Sequence, residues 1–181
     1  MAINQLYLNN SRQITTSFSE DFPGAILFDF FDESYFRRWQ RTLHSVNYTK
    51  EKKHLTHSYA KAVTTLPDTL ELRKFIVAIT RKKMKRLSAE IIQFGWKDYT
   101  ILNDTVNEKH HYDFIIDLDD FWDERSGGTI FYSDGTGNYV HIPARRNTIT
   151  IVKRTKNLRQ FVKYVNHRAG RKKRHLLFIR I

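Results

Sequence analysis

The residues best suited to chemistry lie between Trp96 and Gly128, and His110-His111-Tyr112-Asp113 stands out first. An imidazole and a carboxylate two residues apart are donors that a first-row divalent metal accepts, so the segment invites a metal ion. Just downstream, Asp113, Asp117, Asp119, Asp120, Asp123 and Glu124 form an acidic cluster. That composition suits either a Mg²⁺ site or a solvated rim that pairs with basic residues elsewhere. His54 and His57 are three apart and would share one helical face, but no carboxylate pattern accompanies them, and they read as exposed loop histidines. The absence of cysteine excludes a disulfide framework, a thiolate zinc site and a cysteine nucleophile, and fits an intracellular protein. No P-loop, G-x-S-x-G elbow or dinucleotide fingerprint occurs.

These groups must be carried by a folded body. A chain of 181 residues with 13 Phe, 9 Tyr and 3 Trp can bury a core as one domain. Residues 1–24 read as an N-terminal arm ending in the turn Phe22-Pro23-Gly24, and 25–87 as a strand plus helices. Ala25–Phe31 is strand-like, Asp32 is a plausible N-cap, and Glu33–Val46 reads as a helix with Tyr35, Phe36, Trp39 and Leu43 on one face. Asn47–Leu66 reads as a polar loop. Pro67 and Asp68 open a second helix that ends in Arg81–Arg86 (RKKMKR), where cations would complement the helix dipole or form an RNA-facing patch.

From 88 to 181 the period shortens to that of strands: Ala89–Phe94, Tyr99–Leu102, Phe114–Leu118, Thr129–Tyr132, Tyr139–Ile142, Thr148–Val152, Gln160–Val165 and His175–Ile181. Helices followed by many short strands predict an α+β protein with a jelly-roll core. No run of about 18 apolar residues predicts a membrane span, and no secretory signal is evident, so the cytoplasm is the expected compartment.

Charge is distributed one-sidedly. The formal net charge is +12, yet no Asp or Glu follows Gly135. Arg145, Arg146, Lys153, Arg154, Lys156, Arg159, Lys163, Arg168, Arg171, Lys172, Lys173, Arg174 and Arg180 all lie in that acid-free half. Such a segment attracts polyanions, with RNA the commonest.

The order and spacing of several short motifs resemble the double-stranded β-helix core of prolyl-hydroxylase-type Fe(II)/2-oxoglutarate dioxygenases. They are the apolar strand Phe114–Leu118, Trp122 in a short loop, Gly127-Gly128 before the next strand, then Pro143 and Asn147. Asp98-Tyr99 is similar to the family's approach to its iron site, with Lys97 where glycine is usual. The likeness spans roughly residues 20–181. It implies a His-x-Asp plus a distal His as iron ligands, and a late basic residue for the far carboxylate of 2-oxoglutarate.

In register with Asp98-Tyr99 and Gly127-Gly128, the His-x-Asp positions hold Asn103 and Thr105, and the distal-His position, two before Val162, holds Gln160. Tyr99 and Arg174 take the 2-oxoglutarate-binding positions. On this register the iron triad is degenerate, because amides and a hydroxyl replace an imidazole pair and a carboxylate. The alternative register uses His111, Asp113 and His167 as ligands, with Arg174 or Arg180 for 2-oxoglutarate.

Three functions follow as expectations. The first is a non-catalytic dioxygenase-fold protein without cofactor, which docks its basic C-terminal half on RNA or a ribonucleoprotein such as the ribosome, Arg145–Lys173 supplying the cations. Tyr139, Phe161, Tyr164 and Phe178 would add stacking. The second is an active Fe(II)- and 2-oxoglutarate-dependent protein hydroxylase on the shifted triad. The third is an anion sensor in which Arg174 holds a dicarboxylate without metal.

Overall fold

A computed structural model describes residues 3–14, 18, 24–65, 70–83, 87–101 and 111–181. Within them the chain runs through α1 (Gln5–Asn9), α2 (Ser11–Ile14), β1 (Gly24–Leu27), α3 (Glu33–Leu43), β2 (Thr49–Lys53), β3 (His57–Thr65) and α4 (Leu70–Thr80). Then follow β4 (Ser88–Phe94), β5 (Tyr99–Thr100), β6 (Tyr112–Asp117), β7 (Ile130–Ser133), β8 (Tyr139–Ile142), β9 (Ile149–Lys153), β10 (Arg159–Val162) and β11 (Arg174–Arg180). The strands join in the order β1-β9-β6-β11-β4-β3-β5-β10-β7-β8, with β2 paired to β3. The pairings along this path are antiparallel.

Two cores show how this sheet curls. On β6, Phe114 and Ile116 join a cluster that also holds Phe36 and Trp39 of α3, Phe75 and Ile76 of α4, and Leu177 and Ile179 of β11. Alternate residues point the other way: Ile115, Leu176 and Phe178 pack with Ile130 and Tyr132 of β7, Ile142 of β8 and Val162 of β10. The larger layer therefore bears helices outside and faces the smaller layer inside, forming a jelly roll. Burial on both faces explains why β6 reads as an almost unbroken apolar run.

Local chemistry sets the boundaries. Asp32 caps α3 by accepting from the Ser34 amide at 3.0 Å. The Phe30–Phe31 segment is fastened to the start of β9 by Asn147, whose side chain accepts from Phe31 N and donates to Phe31 O, both at 2.9 Å. Asn147 sits at φ 52°, a left-handed conformation that asparagine tolerates better than most residues.

Three expectations are corrected. The N-terminal arm contains two short helices, α1 and α2, that pack on α4. Asn47–Leu66 is a hairpin rather than a loop: β2 reads Thr-Lys-Glu-Lys-Lys and is charged because it is an edge strand, which masks its strand character. Thus His54 lies in the hairpin turn and His57 opens β3, so they share no helical face. The second helix ends at Thr80 and holds no basic residue in its last turn, so Arg81–Lys83 follow the helix instead of complementing its dipole. No described helix is long and apolar enough to cross a membrane.

Candidate functional site

The inward residues of β6 and β11 line the interior of the roll, and charge occupies both ends. Antiparallel register sets Asp113 opposite Arg180 and Asp117 opposite Leu176. β11 spans about 20 Å at ~3.3 Å per residue, which separates the Arg180 end from the Arg174 end.

At the Arg180 end, Asp113 is buried and accepts from the Tyr132 hydroxyl at 3.0 Å. Arg154 Nη1 approaches the same carboxylate oxygen at 3.4 Å, and the guanidinium lies 5.7 Å from the centroid of the Tyr132 ring. Burial and the neighbouring carboxylate push the Tyr132 phenol well above its ordinary pKa, so it stays a hydrogen-bond donor. Arg180 donates to Glu90 at 2.7 Å beside them. Gln160 is the register partner of Tyr132 and lies two residues before the inward Val162, so it shares the inward face.

At the Arg174 end, Arg174 is 0% exposed. It donates to Asp117 Oδ2 at 2.7 Å and to the Gly128 carbonyl at 2.6 Å. Burial pushes the Asp117 carboxyl up, and the guanidinium pulls against it. The Gly127-Gly128 pair has a backbone reason: Gly127 has φ 84°, and a Cβ there would fall 1.9 Å from the Tyr164 carbonyl oxygen. Trp122, buried in the inner core, closes this corner by donating to the Gly127 carbonyl at 2.8 Å.

The ligand positions fall as follows. Asn103 and Thr105 lie outside the described residues, while Gln160 presents a neutral amide to the interior. His111 is exposed at the start of β6 and Asp113 follows it inside the roll. His167 sits exposed in a 3-10 turn, His167–Ala169, which contacts a second such turn, Glu124–Ser126, beyond the opposite end of β6. The shifted triad is therefore divided between the two ends, and no three His, Asp or Glu among the described residues could hold a metal together.

The described residues thus do not fit Fe(II). They do not fit 2-oxoglutarate either, because Arg174 already carries a carboxylate of its own chain. Tyr99 is half-buried with its ring against Tyr164, centroids 6.3 Å apart, and is not hydrogen-bonded to Arg174.

The acidic cluster is engaged within the chain. Asp119 accepts from the His175 amide at 2.6 Å and lies 2.9 Å from its Nδ1. Asp120 receives Arg37 and Arg146, Asp123 receives Arg125, and Glu124 accepts from the Ala144 amide. Sequence reasoning did not find the Asp113–Tyr132–Arg154 and Asp117–Arg174 groups. The available signal was parity: Asp113 and Asp117 share the face of Ile115 on a strand buried on both sides.

The basic half does not form a single surface. Arg146 is bound by Glu33 at 2.6 Å and lies over Phe36 at 4.6 Å, Arg154 turns inward, and Arg159 is half-buried on β10. Arg145 is exposed but lies over Phe28 at 4.2 Å. Lys153 and Lys156 are exposed at the Arg180 end. Lys163, Arg168, Arg171, Lys172 and Lys173 are exposed around the Arg174 end. There they meet exposed rings: Lys97 lies 4.5 Å from the Trp96 ring, and Lys172 lies 6.0 Å from Phe121. The Lys97 amide donates to the Val165 carbonyl, which brings Trp96 and Tyr164 to one surface. Phe178, expected as a stacking residue, is inner core instead.

No protein-family model matches this sequence, and no curated protein matches it. Solved structures do match. A prolyl-4-hydroxylase from Pseudomonas putida superposes with a TM-score of 0.72 at 7% identity, covering 94% of this chain and 98% of that one. A prolyl hydroxylase from Trichoplax adhaerens, in complex with a hypoxia inducible factor oxygen degradation domain peptide fragment, gives 0.71 at 10% identity over 97% and 90%. A 2OG-Fe(II) oxygenase family oxidoreductase from Burkholderia pseudomallei gives 0.69 at 10% identity over 99% and 93%. The chain has the prolyl-hydroxylase-like dioxygenase fold, and at these identities the likeness is one of fold.

Proposed function

We propose that this chain uses the dioxygenase fold as a scaffold for binding RNA or a ribonucleoprotein, such as the ribosome, instead of for iron chemistry. The observation that carries this reading is the surface at the Arg174 end. Five exposed cations of the acid-free half, Lys163, Arg168, Arg171, Lys172 and Lys173, surround the exposed rings of Trp96, Phe121 and Tyr164. The nearby carboxylates Asp119, Asp120 and Asp123 are already neutralised by His175, Arg37, Arg146 and Arg125. Cations supply phosphate affinity, and adjacent rings supply base contacts. The neutral Gln160 and the internal partner of Arg174 support the same reading from inside the roll.

Fluorescence anisotropy with a labelled RNA tests it. Binding should be strong at low salt and fall by orders of magnitude as salt rises from about 50 to 200 mM, as counterion release requires when several phosphates are contacted. Binding that ignores salt, or no binding at low salt, overturns it. Anaerobic Fe(II) titration should show no stoichiometric uptake, and uptake that His111→Ala abolishes would restore the hydroxylase reading.

A further inference from the structure

We infer that the outer face of β10, β7 and β8 is a stacking platform for single-stranded RNA. This rests on the RNA-binding reading above and adds where the bases sit and which form of RNA is taken. Phe161 on β10 pairs in register with Phe131 on β7, and Phe131 pairs with His141 on β8, so three rings line up across three strands. Phe161 and Phe131 are stacked with centroids 5.0 Å apart and planes 8° from parallel. Phe131 and His141 follow at 5.6 Å and 28°. Tyr139 stands edge-on to Phe161 at 6.0 Å and is 59% exposed.

All four rings point away from the inner core, because their strand neighbours Ile130, Tyr132, Ile142 and Val162 point into it. The buried helix residues pack with β1, β4, β6, β9 and β11, and none packs with β7, β8 or β10. Among the described residues, this aromatic row is therefore not covered by helix side chains.

Charge decides the occupant. Arg159 and Lys163 lie two residues either side of Phe161 and share its face, setting cations at both ends of the row. The carboxylates at the margin have partners: Glu124 lies 3.4 Å from His141, and Asp134 is held in the β7–β8 turn by Thr136 and Asn138. A second copy docked on this face by two-fold symmetry would set Arg159 and Lys163 against like charges. A strand of RNA offers the complement, phosphates for the cations and ring faces for the row. Duplex RNA keeps its base faces internally stacked and leaves the row without a partner.

The test compares a labelled single-stranded RNA with its duplex, on the full chain and on Tyr139→Ala and Phe161→Leu variants whose thermal unfolding is checked first. Wild type should favour the single strand. The combined variant should lose about tenfold on it, with the salt slope and duplex affinity unchanged. Tyr139→Ala alone, at an exposed position, should move the same way. Unchanged single-strand affinity, or an equal loss on duplex, overturns the platform while leaving the RNA-binding reading standing. Absence of low-salt binding to either RNA overturns that reading and the platform with it. A doubled mass in sedimentation that Tyr139→Ala returns to monomer would assign the face to a second copy and overturn the platform.

Discussion

Arg174 and Asp117 form an ion pair with almost no access to water, their side chains 1% and 7% exposed. Removing either partner strands the other charge in the core, whereas removing both leaves apolar contacts. Asp117→Asn or Arg174→Met alone should therefore cost about 3–5 kcal/mol in urea unfolding, and Asp117→Leu with Arg174→Met should recover most of it. Equal losses in single and double variants would show that the pair is not coupled. The same cycle bears on function, because a guanidinium released by Asp117→Asn is free for an added dicarboxylate. Calorimetry with 2-oxoglutarate should then show binding that wild type lacks. The other residue-scale constraint, the Gly127 approach to Tyr164, was visible only as a dipeptide in the sequence.

At the level of elements, Arg146 fastens α3 to the segment after β6. It meets Glu33 of α3 and Asp120, while Arg37 of α3 also reaches Asp120 at 2.8 Å. The hydrogen bond from Arg146, helped by Arg37, lowers the Glu33 pKa. At Asp120 burial pushes upward, but hydrogen bonds from Arg146, Gln40 and Arg37 outweigh it and the net shift is downward. Carboxylates with lowered folded pKa values stabilise fully above their unfolded values, near pH ~4, and lose that contribution as pH falls through the folded ones. The Tm gap between wild type and Arg146→Ala should thus be widest at neutral pH and narrow steadily below about pH 4. A gap that stays constant into acid would mean that only packing over Phe36 is lost. β2 and β3 show why element reading failed elsewhere: an edge strand needs no apolar alternation, so Thr49–Lys53 carried no period to detect.

Across the whole molecule, the acid-free half divides into two basic regions, because β9 and β11 carry the chain to opposite ends of the roll. Lys153 and Lys156 belong to one end, and Lys163 to Lys173 to the other. If the Arg174 end makes the phosphate contacts, Lys172→Glu with Lys173→Glu should lower the slope of log affinity against log salt by at least about 1.4, ~0.7 per lost contact to a single strand. Lys153→Glu with Lys156→Glu should leave it unchanged. The reverse pattern would move the interface to the opposite end.

The sequence by itself determined the fold class, because parity, the Trp122–Gly128 segment and the short strand lengths are local properties that survive without partners. It also determined that the register positions for iron ligands hold Asn103, Thr105 and Gln160. Only the tertiary structure decided which charges meet. Asp117 and Arg174 are 57 residues apart in the chain, and no local pattern reveals that one neutralises the other. Likewise His111-Tyr112-Asp113 kept its local promise of a metal until β11 set its length between Asp113 and His167. The aromatic row across β10, β7 and β8 exists only through cross-strand register, which depends on how the whole sheet closes.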